Sequence, residues 1–336
     1  YPLSIIYLIQ KFNLKFKNKL FLIVIFTILF VIFDTLIQYI FGKDLFGYVA
    51  SERGSIALNR LSGPFGDELI PGSYLMRYFF IVIFMSILIF EKKYNKYLFP
   101  FFIILCLSTI LVTGERAAFL LTAFGIFLAF ILVKHFRKKI IISLLILFVF
   151  TFFILLENPK LKSRVIDYTF FQLGITKNLD SNKNNFKIDL KKFIDSPYGA
   201  HWETAFKIWQ DNKFIGVGVK QFRVKCSDNK YKQIKSKLRS VRCATHPHNT
   251  YMEILSETGL IGLSLFTLII FFLIKKTYLI SRSKNNVNWL IISIILLFWP
   301  LISTGSFFTN NTQIYLSFLI TLIFMSDINF LDKDKV

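Results

Sequence analysis

The chain has 336 residues, 54% of them hydrophobic with 41 Phe, and carries 41 Lys and Arg against 20 Asp and Glu for a formal net charge of +21. Nearly uncharged runs such as 20–40 and 140–156 exclude an ordinary soluble domain, and because they are continuous rather than alternating they exclude an outer-membrane barrel. So large a positive charge would suggest nucleic acid in a soluble protein, but here it is gathered into the connections between apolar runs, which points to a bilayer and to no nucleic acid.

Residues 1–10 read as the end of an earlier apolar segment, and a chain opening on Tyr1 carries the expectation that N-terminal spans are missing. Eight apolar runs follow, at 20–41, 74–90, 97–113, 117–133, 139–156, 251–274, 288–304 and 311–326. Each approaches the roughly 20 residues a helix needs to cross the hydrocarbon core. Every second connection is basic: Lys11, Lys15, Lys17 and Lys19; Lys92, Lys93 and Lys96; Lys134, Arg137, Lys138 and Lys139; Lys275, Lys276, Arg282 and Lys284. By the positive-inside rule these are cytoplasmic, which puts 42–73, 113–116, 157–250 and 305–310 outside. The expected organisation is a bundle of five spans over 1–156, a large outer loop over 157–250, three spans over 251–326 and a cytoplasmic tail over 327–336. Within the spans Asp34 is the clear charged residue, read as packing one helix on another near the outer interface.

The long loop holds 19 Lys and Arg against 8 Asp and Glu, and loops of this length are exported regardless of charge. Cys226 and Cys243 lie in it, whereas Cys106 lies in a span. An exported loop favours a disulfide between the pair, worth about 3 kcal/mol, with two free thiols as the alternative. Segment 177–195 is Asn- and Lys-rich and reads as a flexible excursion. Segment 200–213 has helical spacing that puts Trp202, Ala205, Phe206 and Trp209 on one face, for the bundle or the membrane interface.

Three stretches carry more than packing. The first, Arg60-Leu61-Ser62-Gly63-Pro64-Phe65-Gly66-Asp67-Glu68, is a Gly/Pro-structured outer loop running into a span. The second is the turn Thr113-Gly114-Glu115-Arg116-Ala117-Ala118. An Arg where a helix begins suits a phosphate through its guanidinium fork, or else forms a local pair with Glu115. The third runs from Thr245-His246-Pro247-His248-Asn249 to Gly259-Leu260-Ile261-Gly262. Pro247 suits the first helical position with Thr245 or His246 as cap, so His248 would fall in the first turn, where a helix N-terminus keeps imidazole neutral. Gly259 and Gly262 are spaced for close helix contact. The bland alternative is a set of interfacial side chains anchoring a helix end.

Taken together these stretches resemble the O-antigen ligase and O-antigen polymerase superfamily of bacterial membrane glycosyltransferases, over about residues 40–275. The resemblance is carried by Gly114-Glu115-Arg116-Ala117-Ala118, by the outer loop from Arg60, by Ala205 through Gly216-Val217-Gly218 to Phe222-Arg223, and by His248-Asn249 through Tyr251 and Glu257 to Gly259 and Gly262. This chain departs from the family in having His201 where many members have an Arg ahead of the Trp-containing helix.

The resemblance implies an all-α polytopic protein with a GT-C-like bundle and one large periplasmic loop, in the bacterial inner membrane, its active site facing the periplasm. It implies transfer of a glycan from undecaprenyl diphosphate to an acceptor sugar hydroxyl, on lipid A-core for a ligase or on another glycan for a polymerase, with inversion and without a cofactor. Under that reading His248 is the general base, and Arg116, Arg164 and Arg223 hold the donor diphosphate. Asn249, Tyr251, Glu257, His246 and Arg60 support them. Two rivals stand beside it. His201, His246, His248, Cys226 and Cys243 could assemble a zinc site, although no C-x-x-C pair occurs among them. A lipid-linked glycan transporter is the other, although the halves show no internal repeat.

Overall fold

The computed structural model of the protein describes residues 14–50, 60–167, 169–170, 175–177, 186–188, 194–300 and 305–327. The apolar segment at 1–10, most of the 177–195 excursion and all but the first residue of the expected tail lie outside these residues. The named helices are α1 (Leu14–Phe41), α2 (Pro71–Ile89), α3 (Lys92–Val112), α4 (Arg116–Leu132), α5 (Arg137–Glu157), α6 (Pro197–Asp211), α7 (Thr250–Ser281), α8 (Asn288–Leu297) and α9 (Asn310–Asp327). All but α6 sit on the eight apolar runs. Among the described residues five helical stretches are long and apolar enough to cross a membrane: Lys17–Phe41, Pro71–Ile89, Lys93–Val112, Lys134–Glu157 and Thr250–Ser281; Arg116–Leu132 and Asn285–Leu297 are apolar but shorter. The protein is therefore a helical, polytopic membrane protein. One exception to an all-helical chain is described: Ile175–Lys177 pairs antiparallel with Phe186–Ile188, a pairing that suits the β-branched Ile175, Thr176 and Ile188.

The chain divides into two compact units, one of Tyr1–Val165, Leu273–Leu297 and Ser317–Val336, the other of Ile166–Phe272 and Phe298–Leu316. The first unit is built around α2, whose residues Phe79 to Met85 are all buried. Trp289 of α8 is 1% exposed. Its ring centroid lies 5.6 Å from those of both Phe99 and Phe136 and 6.3 Å from that of Phe80. Gly125 lets α4 close on this cluster, because a Cβ there would meet Phe80 and Leu296. The outer face of α5 is the reverse: Leu145 and Phe148 are 64% and 72% exposed. So continuous an apolar face is stable against lipid and costly against water.

Polar groups in α1 are spent on the turns beyond it. Asp34 is buried and its Oδ1 accepts from Leu45 N–H at 2.9 Å, so it ties a turn to the helix end rather than packing helix on helix. Gln38 Oε1 accepts from the N–H groups of Ser62 and Gly63, and its Nε2 donates to Tyr48 O and Ser62 Oγ. Both turns thereby find partners for backbone groups that lipid could not satisfy.

In the second unit α6 carries the core. Its buried face is His201, Thr204, Ala205 and Ile208, which packs on Phe222, Cys226 and Tyr231. Of the expected face only Ala205 enters this core. Small side chains let α6 approach the loop closely, while Trp202, Phe206 and Trp209 are displaced to its flank, Phe206 being 41% exposed. Glu203 accepts from Lys235 and Ser236 N–H, and Asp195 from Lys237 N–H, so carboxylates fold the basic loop back on α6. Cys226 and Cys243 are joined as a disulfide, with Cα atoms 5.3 Å apart.

Candidate functional site

Two groups of predicted residues take shape, one in each unit. In the first unit the turn between α3 and α4 pivots on Gly114, whose φ of +71° an L side chain would resist. Arg164 reaches this turn from the irregular helical segment Ser163–Asp167, its Nε donating to Gly114 O at 2.9 Å. A Cβ on Gly114 would lie 3.7 Å from Arg60 Cγ, so the Arg60 side chain passes the same turn. Arg116 begins α4 two residues further on and is half-buried. Arg60 and Arg164 therefore meet at the turn that Arg116 follows in the chain.

A carboxylate at this turn is Glu115, expected from the sequence as a candidate local partner for Arg116. Its Oε1 accepts from Gly72 N–H at 2.7 Å and its Oε2 from Ser73 N–H at 3.0 Å and from the Ser73 hydroxyl. Arg60 Nη2 stands 4.0 Å from Oε2 and donates to Leu69 O at 2.5 Å. Glu115 thus closes the N-terminus of α2 and holds Arg60, satisfying orphan helix donors with a negative charge. Burial pushes its carboxyl up, opposed by the Ser73 hydroxyl, Arg60 and the two backbone donors.

In the second unit the structure corrects the capping scheme. Helix α7 starts at Thr250, and the cap is Asn249, not Thr245 or His246. Asn249 Oδ1 accepts from the N–H groups of Tyr251 and Met252 at 3.0 and 3.1 Å, while its Nδ2 donates to Pro300 O at 2.8 Å. An Asn one residue before a helix outcompetes a Pro two residues earlier because its side chain reaches the orphan donors. Pro247 and His248 therefore precede the helix. His248 adopts a left-handed backbone, φ +56°, that few non-glycine residues take. Tyr251 donates its hydroxyl to Phe298 O at 2.8 Å, and Glu253 accepts from Phe307 N–H at 2.8 Å and from the Ser306 hydroxyl. The first turns of α7 are so tied to Phe298, Pro300, Ser306 and Phe307.

The strained backbone delivers His248 into a group of rings. Its centroid lies 4.3 Å from that of His246, 5.2 Å from that of His201 and 6.1 Å from that of Tyr198. His246 Nδ1 is 3.0 Å from Thr245 Oγ1. Burial, then the neighbouring His246 and His201, push the His248 imidazole down to about 4. His201 is also held down, by burial first and then by His246, against a hydrogen bond with the Val241 backbone. The neutrality expected of a helix N-terminus thus comes instead from desolvation and like neighbours. Among the described residues no group of three or more His, Cys, Asp or Glu is disposed to hold a metal ion.

Glu257 and Gly259 do a different job. Gly259 has φ +69° and breaks α7, which removes the helical bonds that Leu260 and Ile261 N–H would make to Ser256 and Glu257 O. The segment after α6 takes their place. Val217 and Gly218 N–H donate to Ser256 O and Glu257 O at 3.1 and 2.8 Å, while Leu260 and Ile261 N–H donate to Lys213 O and Phe214 O at 2.9 and 3.1 Å. A Cβ on Gly216 would collide with the Glu257 backbone, and one on Gly259 with that of Phe214. The expected helix–helix contact at Gly259 is thus an inserted loop. Glu257 completes the splice, its carboxylate accepting from Lys220 N–H at 2.6 Å and from Phe222 N–H at 3.1 Å. Arg223 sits exposed on the short helix Phe222–Lys225 that this carboxylate caps.

Tyr198 and Glu253 were missed as site residues, while His201 was noted only as a departure from the family and a candidate metal ligand, and Glu115 only as a partner for Arg116. For Tyr198 no sequence signal existed, since helix packing alone brings it to His248. Glu253 could have been found from its place in the first turn of a helix.

The fold and these two groups define a helical membrane protein with an arginine-bearing turn in one unit and a neutral imidazole ahead of a helix cap in the other. The O-antigen ligase family model matches residues 101–267, a stretch holding the Gly114 turn and the whole His248 to Gly262 element, and through this segment the chain belongs to the O-antigen ligase and polymerase superfamily. No curated protein matches the sequence.

Proposed function

We propose that the protein transfers a glycan from undecaprenyl diphosphate to an acceptor sugar hydroxyl, as an O-antigen ligase does, at the periplasmic face of the inner membrane. The observation that carries this reading is His248, a neutral imidazole held by a left-handed backbone immediately ahead of the α7 cap. The acceptor oxygen attacks the anomeric carbon, the bond from that carbon to the diphosphate oxygen breaks, and its electron pair leaves on the diphosphate. The hydroxyl proton passes to His248 Nε2 or Nδ1, and the configuration inverts. A diphosphate is a good leaving group, so a base held near 4 is sufficient where a poorer leaving group would need a stronger one.

Arg116, Arg164 and Arg60 are assigned to the diphosphate, with Arg223 as a further cation from the loop. Arg60 and Arg164 reach the Gly114 turn and Arg116 follows it in the chain, and planar guanidinium forks match phosphate oxygens. Charge developing on the leaving group is where such donors act most strongly. The lipid A-core acceptor, the disulfide in the exported loop and a bundle of eight spans with its basic connections inside belong to the same proposal.

The test is purified full-length protein in liposomes with undecaprenyl-diphosphate-linked glycan and lipid A-core, EDTA present throughout. Glycan should move to the acceptor and undecaprenyl diphosphate should appear in equal amount. Passage of intact donor across the bilayer without transfer would support a transporter, and loss of transfer on EDTA alone would support the metal reading.

A further inference from the structure

The splice at Gly259 has a lipid-facing consequence. The four backbone bonds described above hold residues 213–218 at the point where α7 resumes as Leu260. From there to Ser281 the helix is about 20 residues, the length that crosses a bilayer. Along this part Ile261, Leu265, Leu268, Ile269 and Phe272 are each 54–67% exposed and follow helical spacing, so they form one lipid-facing stripe.

Phe214 and Ile215 lie at the top of that stripe. They are 69% and 75% exposed, although Phe214 O is bonded to Ile261 N–H and the turn is fixed by Gly216 N–H donating to Asn212 O at 3.0 Å. Two large apolar side chains on a rigid, hydrogen-bonded turn are not an accident of a loose loop. Their polar flanks fit a bilayer edge. Lys213 and Lys220 are exposed on either side, and Trp209, whose indole N–H donates to Lys213 O at 3.1 Å, supplies an amphipathic ring beside them.

We infer that Phe214 and Ile215 form a wedge inserted among the acyl chains of the outer leaflet, continuing the lipid-facing stripe of α7, with Lys213 and Lys220 at the headgroups. The occupant is bilayer lipid, because the patch is continuous with a membrane-facing surface and bordered by cations. The wedge fixes the depth of the Gly259 break, and so of Glu257 and the turns of α7 ahead of it. The inference rests on α7 crossing the membrane and not on the transfer chemistry.

The test is site-directed spin labelling of the full chain in liposomes. Cys106 is buried and Cys226 is bonded to Cys243, so an introduced cysteine is the reactive thiol and the unsubstituted protein serves as blank. Nitroxides at Ile215→Cys and, separately, Phe214→Cys should be relaxed by oxygen and shielded from a water-soluble nickel chelate. Ile269→Cys on the α7 stripe should match them, and Lys232→Cys, exposed elsewhere in the loop, should show the opposite. Nickel accessibility at both 214 and 215 equal to that at 232, with 269 shielded, would overturn the wedge. Nickel accessibility at 269 itself would overturn the span on which it depends.

Discussion

As the proposed base, His248 faces two demands at once, since a base must be neutral before it acts yet basic enough to take a proton. Burial and the neighbouring His246 and His201 settle the first demand by holding the imidazole near 4. Because the folded value lies below the ordinary His value of about 6.5, the acting form persists at every pH above about 4 and is lost only below it. The pH profile of kcat/KM should therefore hold flat through pH 6 and fall on the acid side near 4. An acid limb near 6.5 would show that His248 is not the titrating base. His201→Ala, which opens the pocket to water and removes one like neighbour, should move that limb upward. At this scale the sequence was partly legible. Helix-end chemistry, which is local, marks Arg116 and the stretch around His248, although it places the cap at Thr245 or His246 where the structure has Asn249. The ring contact of His201 with His248 is not local, and neither is the commitment of Glu115 to the N-terminus of α2.

At the scale of elements, the broken helix α7 is the feature on which the second unit turns. Gly216 and Gly259 both have positive φ, and each meets backbone rather than side chain where a Cβ would project. Gly259→Ala should cost about 3 kcal/mol or more, combining a backbone state nearly closed to L residues with weakened backbone bonds across the break. Gly216→Ala should act on the same contact from the other side. Thermal unfolding in detergent should show a large loss for each and less than their sum for the double variant, because the second change finds the splice already broken. Additive losses would mean that the two glycines serve separate structures. The apolar runs were legible because a membrane helix is a property of local composition. The splice was not, since four of its bonds join backbone groups some 40 residues apart, and backbone groups leave no mark in side-chain pattern.

For the whole molecule, the account joins composition, family and site. Apolar runs and exposed apolar faces on α5 and α7 make it a membrane protein, and residues 101–267 place it among the O-antigen ligases and polymerases. The central claim is a division of labour, with His248 acting on the acceptor hydroxyl and Arg116 on the diphosphate. The measurement that tests it most directly is donor affinity and transfer rate for His248→Ala, Arg116→Ala and Arg116→Lys, each reconstituted beside the unsubstituted protein. His248→Ala should lose about 10²–10⁴-fold in transfer with donor affinity little changed. Arg116→Ala should weaken both, and Arg116→Lys should recover little, because a point charge cannot reproduce a bidentate fork. Near-normal transfer by His248→Ala, or donor binding by Arg116→Ala equal to that of the unsubstituted protein, would contradict the account.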